Sequence, residues 1–173
     1  MNLVVADEAT VAGDSTGRWR PDVARLPALA PALQAALPVA VAAAQRATKP
    51  DLAKFLASLA LLCAPGNISV TDAKAKLGAY ADMLDGRVPA SVLTRENLEA
   101  MARRFRFLPA YGELVDELDA LSRPVLSRLS RIRALLGEPG ADPLDEWFLA
   151  MARWEAGWRE GPMPLLARPV AAA

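Results

Sequence analysis

The residues of this chain that could do chemistry are carboxylates and arginines, because the sequence has no histidine and a single cysteine, Cys63. Nucleophilic sites of the Ser-His-Asp and Cys-His types need a histidine and are excluded. A disulfide within the chain is impossible, and a zinc site would have to consist of carboxylates alone, which is unusual. No glycine-rich phosphate-binding motif occurs either. We therefore predict a non-enzymatic protein without a cofactor or a metal ion.

Carboxylates are concentrated at the start of one predicted helix, where two of them on one face could act as general acid and general base. Glu113 and Glu117 share a face, as do Asp116 and Asp119. No second acidic motif accompanies them. We interpret them as solvated acids of an amphipathic helix.

A first cluster of arginines, Arg103, Arg104 and Arg106, lies at the end of a predicted helix, where positive charge complements the helix dipole. Guanidinium groups bind carboxylates and phosphates through paired hydrogen bonds. Two glutamates precede the cluster at helical spacing and can form ion pairs with it. A solvated helix end is one interpretation. The prediction that we make is a partner-binding site formed with Phe107 and Pro109.

A second run of arginines, Arg123, Arg128, Arg131 and Arg133, has no acidic residue within it. Interleaved serines suit contacts with phosphate. The run has no aromatic stacking partner, and the net charge of the chain is zero, so the signal for nucleic-acid binding is weak. We predict weak nucleic-acid contact at most.

An aromatic stripe lies near the end of the sequence. Trp147, Met151, Trp154 and Trp158 recur at the spacing of one helical face. Such a stripe either packs onto the core of its own protein or docks into a partner. The glycine- and proline-containing residues 137–143 predict a linker before this helix, which would allow it to reach a partner.

The stretch from Val88 to Leu118 must position the first arginine cluster, and its pattern predicts a helix, a tight corner and a second helix. The first helix has one apolar face, formed by Leu98, Met101, Ala102 and Phe105. Pro89 suits the first turn of that helix. Pro109 should end it near Phe107 and begin the next one.

The flanking segments also predict helices. Prolines should break residues 22–48 into short pieces, and these are Pro27, Pro31 and Pro38. Residues 51–63 should form a firm core helix. After the corner, Pro124 leaves two possibilities open, a long kinked helix or two consecutive helices.

The composition and the apolar periodicity together predict an all-α fold, a small multi-helix bundle with flexible termini. Aromatic residues make up only 6% of the 173 residues, and β-branched residues are scattered, which argues against a sheet. The predicted divisions are a flexible tail 1–21, a helical domain 22–136, a linker 137–143, an amphipathic C-terminal helix 144–160 and a tail 161–173.

Cytoplasmic localisation is the expectation, because the first residues lack the basic and apolar regions of a signal peptide. The longest uncharged apolar run, Leu26 to Ala44, is interrupted by prolines. We therefore expect no run of the roughly 20 apolar residues that a membrane-spanning helix needs.

The segment from Leu77 to Leu118 resembles the N-terminal helical domain of the phage helicase loader and inhibitor family. The resemblance rests on a tyrosine-containing helix, a Leu/Val-Pro-Ala break, an arginine-rich helix, and a turn with proline before Glu-Leu. In this chain these motifs are Tyr80–Leu84, Val88–Ala90, Arg103–Pro109 and Glu113–Leu114. Leu108 stands where a second aromatic residue is common in the family.

The resemblance implies a non-enzymatic adaptor of a phage or mobile element that binds a replicative helicase as loader or inhibitor and has no cofactor. Two alternatives stay open at this point. One is a DNA-binding protein of the small-terminase or helix-turn-helix type, although the acidic start of the second helix would repel phosphates. The other is a different protein-protein interaction module. The sequence leaves the oligomeric state undetermined.

Overall fold

The structure, a computed structural model, describes residue 13, residues 18–63 and residues 69–157. These residues form six α-helices, numbered here in chain order: α1 Leu26–Ala43, α2 Lys49–Leu62, α3 Val70–Leu84, α4 Arg95–Arg104, α5 Tyr111–Leu136 and α6 Pro143–Glu155. Short 3-10 helices occupy Val23–Arg25 and Ala90–Val92. The predicted all-α fold is confirmed. The predicted tails, residues 1–21 and 161–173, lie largely outside the described residues.

The described residues divide into two compact units. The central unit is Ala43–Val125, and the discontinuous unit combines residues up to Ala42 with those from Leu126 onward. Each unit has its own apolar core. This division differs from the predicted helical domain 22–136, because apolar side chains from both ends of the chain join one core in the discontinuous unit.

Helix α1 is continuous, and the prediction that its prolines would break residues 22–48 into short pieces is wrong. Pro27 lies in the first turn, where the missing N–H has no helical partner to lose. Pro31 and Pro38 lie about two turns apart on the exposed face. The carbonyl groups that lose a hydrogen bond there can be solvated, so the helix tolerates both prolines.

One helical segment, Val23–Ala43, is long and apolar enough to cross a membrane by length and composition, with a mean hydropathy of 1.6. The expectation that prolines exclude such a run is therefore wrong, because they do not interrupt the helix. A core helix of a soluble protein passes the same test. Helix α1 contributes five buried side chains to the core of the discontinuous unit, and 28% of its apolar stretch is buried.

The central unit is built on α2, which begins with a capping box. The Asp51 amide donates to the Thr48 hydroxyl, and the Thr48 amide donates to the Asp51 carboxylate at 3.1 Å. The Thr48 hydroxyl also donates to the Asp51 carboxylate, at 2.6 Å, and the hydrogen bonds from the Thr48 hydroxyl and amide lower the pKa of the Asp51 carboxyl. The core of the unit contains fully buried side chains from α2, α4 and α5, among them Leu52, Leu56, Leu59, Met101, Leu114 and Leu118.

The first helix of the predicted helix-corner-helix starts later than its sequence suggested. Pro89 precedes the 3-10 helix Ala90–Val92, and α4 begins at Arg95. The Thr94 hydroxyl accepts a hydrogen bond from the Asn97 amide at 3.2 Å, which caps α4. An N-cap threonine thus fixes the start of the helix in place of a proline in its first turn.

The same helix ends at Arg104, before the predicted end near Phe107. The Phe105 amide donates to the Met101 carbonyl at 2.8 Å and closes the last turn.

Of the two possibilities left open at Pro124, the structure has one long helix, α5, which contains this proline and continues through it.

Helix α6 begins after a short connection in which Gly137 and Gly140 have positive φ angles of 71° and 84°. Left-handed backbone of this kind favours glycine, so the two residues allow the chain to turn back after α5. The Asp142 carboxylate accepts a hydrogen bond from the Leu144 amide at 2.8 Å and caps α6.

Candidate functional site

The corner between α4 and α5 is held by local hydrogen bonds. The Ala110 amide donates to the Glu113 carboxylate at 2.8 Å, which fixes the first turn of α5. Pro109 is buried beside it. Glu113 is therefore a capping residue of the corner.

The three arginines of the first cluster have different surroundings. Arg104 forms an ion pair with Glu117 of α5. Arg103 and Arg106 are exposed, and neither forms an ion pair with a carboxylate of the described residues. The Arg106 guanidinium lies over the Phe107 ring, 5.4 Å from its centroid. Two of the three predicted cations are thus available to carboxylates from outside the unit.

Exposed apolar side chains occur at the corner and at the end of α2. Phe107 is 50% exposed. The end of α2 lies against the corner, because the Cys63 thiol donates to the Phe105 carbonyl at 3.5 Å. Immediately before Cys63, Leu61 is 86% exposed and Leu62 is 53% exposed. We call Leu61, Leu62, Arg103, Arg106 and Phe107 the corner surface.

The other side of the corner is fixed by Tyr111, the first residue of α5. Its hydroxyl donates to the Met83 carbonyl at 3.5 Å and accepts from the Arg87 guanidinium at 3.3 Å. Its ring lies 5.3 Å from the ring of Tyr80. Met83 is itself more than half exposed. A further exposed apolar side chain of the central unit therefore lies near the corner, on α3.

Sequence reasoning identified the arginines and Phe107 but missed the two leucines and Met83. The sequence does contain a signal for the exposure of Leu61 and Met83, because these residues fall outside the apolar stripes of their own helices. Only the fold places the end of α2 beside Phe105, which lies far away in the sequence.

The second arginine run is divided between the two units. Arg123 is exposed and belongs to the central unit, whereas the other three arginines belong to the discontinuous unit and are partly buried. Arg131 lies over the ring of Trp19, 5.4 Å from its centroid, and Arg133 donates to the Gly140 carbonyl at 3.3 Å. These contacts give Arg131 and Arg133 structural partners within their own unit.

Helix α6 buries a different face from the one defined by its aromatic stripe. Its buried residues are Asp145 and Leu149, and Phe148 packs against the same core. Trp147, Met151 and Trp154 are half-buried, while Trp158 lies outside the described residues. The ring NH of Trp147 is buried and has no hydrogen-bond partner among the described residues.

Helix α6 is anchored within the discontinuous unit. Leu149 lies in the core of that unit, and Arg20 forms an ion pair with Glu155 at 2.6 Å.

A buried carboxyl group joins α6 to α5 in that unit. The Ser130 hydroxyl donates to the Asp145 carboxylate and accepts from the Asp142 amide at 2.7 Å. The Nε atom of Arg131 lies 3.6 Å from the same carboxylate. Burial raises the pKa of the Asp145 carboxyl, although the hydrogen bond from Ser130 and the charge of Arg131 oppose this shift.

The central unit also has an open groove of about 490 Å³ between α2 and the start of α4. Its lining residues include Asp51, Lys54, Phe55, Leu93, Arg95 and Leu98. The two ends of the groove contain groups that already have partners, since Asp51 caps α2 and Arg95 pairs with Glu99 at 2.8 Å. Within the described ranges, no three cysteine or acidic side chains come together in a way that could hold a metal ion.

In comparisons with known proteins, no family model, no curated protein and no solved structure matches the chain.

Proposed function

We propose that this protein is a non-enzymatic adaptor that binds a protein partner through the corner surface. The observation that carries the proposal is the position of Leu61, Leu62 and Phe107. Large exposed apolar side chains mark interaction sites when they form a patch. Phe107 follows Phe105 at the corner, and the two leucines precede Cys63, whose thiol contacts the Phe105 carbonyl.

Rigidity supports the same proposal. A preformed surface loses little conformational freedom on binding, so more of the interaction energy contributes to affinity. Phe107 provides an aromatic anchor, and the two leucines provide apolar area around it. Burying a side chain of this size contributes about 1.5–3 kcal/mol when it leaves water completely.

The partner that we propose is a replicative helicase, bound in the cytoplasm by this chain as an adaptor of a phage or mobile element, as implied by the resemblance of Leu77 to Leu118. The corner surface lies in part within that segment, which contains Arg103, Arg106 and Phe107. A loader and an inhibitor would both use a binding surface, and neither requires a catalytic group in this chain.

Site-directed photo-crosslinking of the full chain tests the proposal. A photoreactive amino acid replaces Phe107 in one protein and Leu61 in another, and the control carries it at Val39, which is 54% exposed on α1. We expect a protein adduct from both corner positions and none from Val39, with a replicative helicase identified by mass spectrometry. Adducts of equal yield from all three positions would overturn the assignment of the corner surface.

A direct measurement with purified helicase tests the identity of the partner separately. We expect binding by the natural chain and its loss in Phe107→Ser, with an unchanged circular dichroism spectrum. Binding that Phe107→Ser leaves intact contradicts the site. No binding to the helicase, together with corner-specific adducts to another protein, contradicts the helicase and supports the adaptor.

A further inference from the structure

We infer that α5 contains a hinge at Pro124, where the two halves of this helix change their angle. Helix α5 spans Tyr111–Leu136 and passes from the central unit to the discontinuous unit between Val125 and Leu126. Three features of the helix coincide near this proline. They are a change of core, a missing backbone hydrogen bond and a serine side chain that is bonded to the backbone.

The two halves of α5 pack into different cores. Side chains before the boundary belong to the core of the central unit, and these are Leu114, Leu118, Leu121 and Val125. Side chains after it belong to the core of the discontinuous unit, and these are Leu129, Ile132 and Leu135. About one helical turn separates Val125 from Leu129. Each half of the helix is therefore fixed to its own core, and bending is confined to the turn around Pro124.

Pro124 weakens the helix at this turn. Its ring nitrogen carries no hydrogen, so the Ala120 carbonyl receives no helical hydrogen bond from it. Ala120 and Pro124 are both exposed, so water can solvate that carbonyl. Proline is among the commonest causes of sharp bends in helices. Bending at this point therefore costs less than it does elsewhere in α5.

Ser122 provides a second cause of bending at the same turn. It is 4% exposed, and its hydroxyl donates to the Leu118 carbonyl at 2.6 Å. A serine that bonds to the carbonyl four residues earlier competes with the helical hydrogen bond and often bends the helix. Ser122 and Pro124 thus weaken neighbouring backbone hydrogen bonds of α5.

Pro31 of α1 shows why a proline alone does not make a hinge. Leu29 and Leu33, on either side of it, are buried in the same core. A bend at Pro31 would pull one of these leucines out of that core, which costs apolar burial. Pro124 differs because the side chains before and after it belong to different cores.

The second point where the chain passes between the units is the end of α1, at Ala42 and Ala43. The Ser91 hydroxyl donates to the Ala43 carbonyl at 2.6 Å, and the Ala90 amide donates to the Gln45 carbonyl at 2.8 Å. The connection after α1 is therefore bonded to the central unit. Because α1 ends at this point, no second continuous helix resists the bending of α5.

Spin-label distances measured on the full chain by double electron–electron resonance test the hinge. One pair of labels, at Lys74 of α3 and Glu146 of α6, lies on different units. The reference pair, at Lys74 and Asp119, lies within the central unit, and all three positions are exposed. Cys63 is replaced by serine, whose hydroxyl can keep the hydrogen bond to the Phe105 carbonyl. We expect a broader distance distribution for the first pair than for the reference pair.

Two proline substitutions locate the flexibility. Pro124→Ala restores the missing N–H and should narrow the Lys74–Glu146 distribution towards the width of the reference pair. Pro31→Ala is the matched control, because it replaces an exposed helical proline within one unit. It should leave both distributions unchanged.

Amide hydrogen exchange measures the same hinge without labels. Bending opens the helical hydrogen bonds around Pro124, so the amides of residues 125–128 should exchange faster than those of residues 115–118 and 132–135. Pro124→Ala should slow the exchange of residues 125–128, and Pro31→Ala should not.

Two results would overturn the hinge. One is a Lys74–Glu146 distribution that is as narrow as that of the reference pair in the natural chain. The other is a broad distribution that Pro124→Ala does not narrow. Neither result depends on partner binding, so the hinge is tested separately from the proposed function.

Discussion

The Cys63 thiol donates a hydrogen bond to the Phe105 carbonyl at 3.5 Å, and this contact joins the end of α2 to the corner that follows α4. Cys63 is buried, and burial raises the pKa of its thiol. The contact brings the end of α2, which has two exposed leucines, to the surface that carries the exposed Phe107. It also makes the reactivity of Cys63 a measure of the integrity of that surface.

Cys63 should react slowly with alkylating reagents in the native protein. The thiolate is the reactive form, and a raised pKa together with burial keeps the thiol protonated and inaccessible at neutral pH. Labelling by iodoacetamide, followed by mass spectrometry, should be slow without denaturant and fast in urea. Rapid native labelling would contradict the buried position of Cys63 and the proposed packing of α2 on the corner.

Leu59 and Leu61 of α2 make a matched pair, because they are two residues apart and differ in burial. Leu59 is fully buried, whereas Leu61 is 86% exposed. We expect Leu59→Ala to lower the free energy of unfolding by about 2–5 kcal/mol. Leu61→Ala should change it by less than about 0.5 kcal/mol. Urea denaturation followed by circular dichroism measures both. Equal effects of the two substitutions would show that Leu61 is a packing residue rather than part of a binding surface.

The ionisation of Asp145 should make the stability of the discontinuous unit depend on pH. Its folded-state pKa is raised by burial above the ordinary value of 3.8. The folded state therefore binds this proton more tightly than the unfolded state does, so the contribution is most favourable at pH values below the unfolded pKa. It is lost as the pH rises through the folded pKa.

Asp145→Asn isolates this effect, because asparagine can replace the protonated carboxyl but does not ionise. Unfolding should be measured for both proteins from pH 3 to pH 7. The stability of the natural chain relative to Asp145→Asn should fall as the pH rises above 3.8, the unfolded value. A difference that stays constant over this range would show that Ser130 and Arg131 fully compensate the burial of the carboxylate.

The four arginines from Arg123 to Arg133 should differ in their effects on DNA binding and on stability. Arg131 and Arg133 have contacts within their unit, while Arg123 is exposed. We expect Arg131→Ala to lower the melting temperature and Arg123→Ala to leave it unchanged. Any DNA binding should be weak and should decrease steeply with salt, because it depends on counterion release. Tight binding that persists at high salt would contradict this account.

The sequence predicts much of the fold because most helices carry their own signals. Leu98 and Met101 mark the buried face of α4, and Pro109 marks the corner. Prolines misled the prediction for α1, since Pro31 and Pro38 lie on its exposed face, where solvent can replace the lost hydrogen bonds. Helix propensity is a property of the segment alone and does not say which face of the helix will be exposed to solvent.

The candidate site was predictable only where its residues are local in the sequence. Arg103, Arg106 and Phe107 lie close together along the chain and could be grouped at once. The end of α2 reaches them only through the contact between Cys63 and Phe105, which is a tertiary contact. The buried Asp145 is a second example of a tertiary contact that the sequence does not predict. Its partner Ser130 lies on another helix, and no local sequence pattern indicates that the two residues form a pair.

The last prediction concerns the aromatic stripe of α6, for which the sequence left core packing and partner docking open. Trp154 is half-buried, and its helix is anchored by Leu149 in the core and by the ion pair between Arg20 and Glu155. We therefore expect Trp154→Ala to lower the melting temperature by several degrees, as a loss of about 1–2 kcal/mol does in a protein of this size. Differential scanning calorimetry measures the change. Glu138→Ala, an exposed substitution before α6, is the control and should leave the melting temperature unchanged. A melting temperature that Trp154→Ala does not move, combined with a loss of partner binding, would instead identify the stripe as a second docking surface.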